Sequence, residues 1–79
     1  MNFAKLYDTE LGQILVKLED EDEGLEVRYY FVPEGLGLCS VAVKFEGDDN
    51  WEKAEKYFKT VTEEKSIEVV KEVIDIFPT

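Results

Sequence analysis

The sequence predicts an α+β domain: an antiparallel three- to four-stranded meander followed by two C-terminal helices packed on one face, in the order ββββαα or βββαα. Three observations carry this expectation. Up to about Phe45, apolar and polar residues alternate with a period of two. Turn residues, Gly12, Gly24 and Pro33 with Gly35 and Gly37, divide that stretch. After Asn50 the apolar residues recur at helical spacing instead. A chain of 79 residues makes one domain, residues 1–79, with one small core.

Residues 3–8 form the first expected strand. Thr9-Glu10-Leu11-Gly12 follows as a turn, because Gly12 tolerates positive φ. Residues 13–18 are the second strand, with Ile14, Val16 and Leu18 on one face. Residues 19–24 then read as a connecting loop. Residues 25–32 are the third strand: Leu25, Val27, Tyr29 and Phe31 alternate with Glu26, Arg28, Tyr30 and Val32. Pro33-Glu34-Gly35-Leu36-Gly37 is a turn, since proline cannot donate to a ladder. Residues 38–45 are the last strand, with Cys39, Val41, Val43 and Phe45 on its apolar face.

Asp49 and Glu52 have capping-box spacing and open a helix whose stripe is Trp51, Ala54, Phe58 and Val61. Thr62 caps a second helix with Glu63 and Glu64 in its first turn, the stripe Ile67, Val70, Ile74 and Phe77, and Pro78 at its end. The junction at Thr60-Val61-Thr62 also admits one kinked helix. Tyr29, Phe31 and Trp51 are expected in the core.

Charge decides what the domain can meet. The chain has 19 acids, 9 bases and a net charge of −10. That argues against nucleic acid and anionic membranes, which require Lys/Arg patches, and favours a basic protein or a cation. The imbalance is local. Residues 8–49 carry twelve acids against Lys17, Arg28 and Lys44, a net of −9, whereas residues 50–79 sum to only −2. The helical charges fall at pairing distance, as Glu52 with Lys56, Glu55 with Lys59 and Lys71 with Asp75.

Glu19-Asp20-Glu21-Asp22-Glu23 is the densest part of this charge. In a meander, alternate loops share one end of the sheet, so Glu46, Asp48 and Asp49 join it there. The eight carboxylates begin about 10 Å apart as two loops, and their density approaches that of a nucleic-acid backbone. One reading is an acidic patch that docks a basic, nucleic-acid-binding surface. The other is a solubilising hairpin loop. Small acidic phage proteins that block host restriction or CRISPR defence resemble this chain in size and charge. The likeness is one of class alone and transfers no residue.

The open sheet face is a second candidate surface. It holds Glu26, Arg28, Tyr30 and Lys44, together with Leu15, Val32, Leu38, Ser40 and Ala42, and it suits a partner or a homodimer.

Other chemistries have weaker sequence support. Asp20, Asp22 and Gly24, or Asp48, Asn50 and Glu52, hint at a calcium loop, but neither matches the EF-hand spacing. Histidine is absent, which removes the commonest general base and zinc ligand. Cys39 shares a face with Val41 and Val43 and reads as a small core hydrophobe. Gly35-Leu36-Gly37 lacks the Walker lysine and following helix of a phosphate loop. No enzyme activity, cofactor or metal is expected. A single cysteine suits a cytoplasmic setting. No signal peptide or membrane span is expected, since Met1-Asn2-Phe3-Ala4-Lys5 leads into no long apolar run.

Overall fold

A computed structural model describes residues 3–21 and 24–76. The order is β1 (Ala4–Thr9), β2 (Gly12–Glu21), β3 (Gly24–Phe31), β4 (Cys39–Phe45), α1 (Asn50–Thr60) and α2 (Glu63–Asp75). The strands form one antiparallel sheet in the order β1-β2-β3-β4, so the four-stranded version of the expected meander is the one adopted.

The first hairpin closes as its residues require. Thr9 pairs with Gly12 across the turn, and Gly12 takes a φ of +94°. Thr9 Oγ1 accepts from the Leu11 N–H at 3.0 Å and donates to the Gly12 carbonyl at 2.7 Å. The second hairpin differs from expectation. Residues 19–21 are not loop but the last three residues of β2, paired with Glu26, Leu25 and Gly24. Carboxylates have low strand propensity, yet the β3 ladder satisfies their backbone.

Both helices lie on one face. α1 packs over β2, β3 and β4, and α2 over β1, β2 and β3. Between the layers sit Ile14, Val16, Val27, Tyr29, Phe31, Phe58, Val61 and Val70, all essentially buried. Tyr29 and Tyr57 share a hydrogen bond between their hydroxyls at 2.7 Å, which supplies the polar partner that a buried phenol needs. The helices are separate. Val61 is extended (φ −70°, ψ 126°), and the Thr62 hydroxyl accepts from the Lys65 N–H at 3.1 Å as the N-cap of α2.

Three local expectations fail. Asp49 is the N-cap of α1 but makes no side-chain cap bond; its carboxylate pairs with Lys53 at 3.3 Å instead. Trp51 is 47% exposed rather than core: it lies in the first turn of α1 and meets the Phe3 ring edge-on. Of the three helical ion pairs expected, only Glu55–Lys59 forms, at 3.2 Å. Phe77 and Pro78 lie outside the described residues. Cys39 is half-buried and packs at the margin of the core.

Candidate protein-interaction surface at the acidic end

The ladder itself assembles the acidic end. Leu25 pairs with Asp20 on one side and with Phe45 on the other. The end of β2, the start of β3 and the end of β4 therefore lie side by side. Gly24, the first residue of β3, is packed tightly against β4 there. A Cβ there would stand 2.9 Å from the Phe45 carbonyl oxygen and 3.8 Å from Asn50 Nδ2. The described parts of the two acidic segments thus share one end of the sheet, on β2 and just beyond β4, with β3 between them and about 10 Å separating the two strands.

The run does not present five equivalent carboxylates. Strand alternation sends Glu19 and Asp20 to opposite faces. Glu19 lies on the open face, where the Tyr30 hydroxyl donates to it at 2.5 Å and Lys17 Nζ lies 3.8 Å away. Asp20 is on the helix side and exposed. Glu21 pairs with Gly24 at the strand end, and Asp22 and Glu23 lie outside the described residues. Glu46, Asp48 and Asp49 are exposed beyond β4, with Asp49 held by Lys53. Among the described residues, Asp20, Glu46 and Asp48 are the end's carboxylates without a cationic partner.

The open face holds Glu26, Arg28, Tyr30 and Lys44 as the alternation predicts, and adds Lys17 and Glu19, which sequence reasoning did not place there. Lys17, Arg28 and Lys44, the three bases of residues 8–49, all stand on it beside Glu19 and Glu26. Lys17 is directly opposite Arg28, and Glu26 opposite Lys44. Arg28 donates through Nε to the Glu26 carboxylate and through Nη1 to Ser40 Oγ at 2.8 Å. Glu26 is 2% exposed, so its carboxylate serves Arg28 and is not offered to a partner, contrary to its expected contact role. Arg28, Tyr30 and Lys44 remain accessible. Tyr30 is held by Glu19, which favours the neutral phenol and pushes its pKa up to about 12. Away from the acidic end the same face turns apolar: Leu6 pairs with Leu15, Leu15 with Tyr30, and exposed Val32 and Leu38 follow beyond the strands.

Two further features lie near the acidic end. Phe3 accepts a backbone hydrogen bond from Leu18 at 2.9 Å and sets its ring edge-on to Trp51, with centroids 5.6 Å apart. Trp51, the first-turn aromatic, thereby adds apolar surface beside the carboxylates. On the helix side of β1, Lys5 Nζ donates to the carbonyls of Phe58 at 2.8 Å and Val61 at 2.9 Å and lies over the Phe58 ring. Lys5 is therefore a structural cation, closing the C-terminal end of α1.

Among the described residues, no group of three acidic or cysteine side chains converges on a point that could hold a metal ion. No helix among them is long and apolar enough to cross a membrane. No family model matches the chain, and no curated protein or solved structure matches it at a significant level.

Proposed function

We infer that this protein is a non-enzymatic acidic interaction module. It engages a basic, nucleic-acid-binding protein surface by imitating nucleic-acid charge, as an inhibitor of the kind found among phage anti-defence proteins. The supporting observation is that Leu25 pairs with Asp20 on one side and Phe45 on the other, so the end of β2 and the end of β4, which leads to Glu46, Asp48 and Asp49, lie at the same end of the sheet. The cations of the strand half are drawn off to the open face, so they leave Asp20, Glu46 and Asp48 uncompensated. Association at such an end is steered over long range and weakened by salt. A cytoplasmic location belongs to the same reading.

The test is capture of partners from a lysate at low and high salt, with duplex nucleic acid as competitor. The expected partner is a nucleic-acid-binding protein that is displaced by duplex and lost at high salt. It is also lost when Asp20, Asp22, Glu23, Glu46 and Asp48 are together replaced by Asn or Gln. Retention by that neutralised variant would overturn the reading.

A second reading is favoured by a specific observation, the exposed Leu6, Val32 and Leu38 around Leu15 and Tyr30. Here the domain is structural and pairs through its open face, with the charge serving solubility. It predicts a dimer or a partner that survives high salt.

A further inference from the structure

The two edges of the sheet are not alike. β1 carries Lys5 on its helix side and Asp8 on its other side. An inward cation is a recognised obstacle to strand addition, and the carboxylate would repel an acidic neighbour. β4 has neither. Its residues are Cys-Ser-Val-Ala-Val-Lys-Phe, with no proline, no carboxylate and no charge on the helix side. Among the described residues it pairs only with β3, which leaves its other row of backbone groups unladdered. Val43 also breaks the pattern of the core. It is opposite fully buried Val27 on the helix face, yet it is 36% exposed and outside the core cluster.

We propose that β4 pairs antiparallel with β4 of a second copy of this chain, about a two-fold axis at Ala42. This interaction surface is distinct from the acidic end and from the open sheet face. The strand is self-complementary about that residue: Val41 comes opposite Val43 of the second copy, and Ser40 opposite Lys44. Directly opposed side chains stand about 5 Å apart, so Val41 covers the Val43 that one chain leaves exposed. Charge selects the antiparallel arrangement. Each chain carries −10, concentrated at the end of the sheet where β4 finishes. A two-fold across β4 turns the two acidic ends to opposite extremities of the joined eight-stranded sheet. A parallel pairing would bring them together. The same geometry leaves both acidic ends open to partners.

Sedimentation of the full chain over a range of concentrations tests the proposal, alongside two single-residue variants. The wild type is expected to show a concentration-dependent doubling of mass. Val43→Lys puts a charge on the helix side of the edge and is expected to abolish the doubling, while Leu15→Lys on the open face leaves it intact; circular dichroism verifies that both fold. In a Cys39→Ser background, Ala42→Cys is expected to give a covalent dimer with a short bismaleimide, and Leu15→Cys is not. A monomer at every concentration would overturn the proposal. So would a dimer that survives Val43→Lys, or one captured through Leu15→Cys and not through Ala42→Cys. Loss of partner capture by the neutralised acidic-end variant bears on none of these outcomes.

Discussion

Lys5 and Tyr30 each hold a contact whose strength can be measured. Lys5 lies on the helix-facing side of β1, where an apolar residue would be the default, and it donates to the carbonyls of Phe58 in the last turn of α1 and of Val61, its C-cap. Charged donors at a helix C-terminus meet both the unpaired carbonyls and the negative end of the dipole. Lys5→Met keeps most of the stem and removes the cation. It is expected to lower stability by about 2 kcal/mol, read as a reduced midpoint in urea with an unchanged slope. Tyr30 bears on pH. Glu19 favours the protonated phenol, so the folded protein keeps a proton that the unfolded chain releases near the ordinary tyrosine value of about 10. The stability from this contact is complete below that pH and disappears as pH rises to about 12. Phenolate absorbance in the native protein should show a tyrosine titrating late, and Glu19→Gln should return its midpoint toward the ordinary value. A titration unaffected by Glu19→Gln would mean that the Tyr30–Glu19 bond is not populated in solution.

At the scale of elements, the joint between the second hairpin and the β4–α1 turn controls the acidic end. Gly24 has a φ of +143°, and a Cβ there would meet the Phe45 carbonyl. Gly24→Ala therefore combines backbone strain with a clash that neither strand can relieve cheaply. It is expected to destabilise by about 1–3 kcal/mol and to loosen the two acidic segments from each other. Hydrogen exchange should show faster opening at Leu25 and Phe45 than in the centre of the sheet. The start of α2 gives a calibrating comparison. Thr62→Ala removes a single cap bond and is expected to cost about 1 kcal/mol. A Gly24→Ala cost no larger than that would mean that the hairpin can separate from β4 without consequence.

For the whole molecule, the charge distribution sets the response to salt. Exposed carboxylates crowd one end of a sheet whose remaining charges are largely paired. Screening lengths shorten from roughly 10 Å at 0.1 M salt to a few ångströms at high salt, which relieves this repulsion. The melting temperature is therefore expected to rise between low salt and about 0.5 M, followed by circular dichroism. The neutralised acidic-end variant should lose most of this dependence. A wild-type melting temperature independent of salt would mean that the acids are too far apart to strain the fold, and would weaken the nucleic-acid imitation as well. For the proposed β4 dimer, salt should matter little, because its acidic ends lie apart.

Periodicity by itself determined the element order, the meander and the helix-facing residues of β2 and β3. Those features follow from side-chain direction in a strand and from the apolar stripe of a helix, both local properties. That the end of β2 and the segment after β4 share one end of the sheet was also legible, because it needs only strand order. What the tertiary structure decided is where each charge points and what it meets. The ladder drew Glu19, Asp20 and Glu21 into β2, although their strand propensity is low. Tyr30 reached along the open face to Glu19, and Glu26 paired with Arg28 two residues on in the same strand. Asp49 turned to Lys53 in place of a cap, and Trp51 stayed half-exposed against Phe3. Lys5 found the end of a helix more than fifty residues away in sequence. The Lys5 and Tyr30 contacts depend on distances between residues remote in the chain, and no local pattern encodes them.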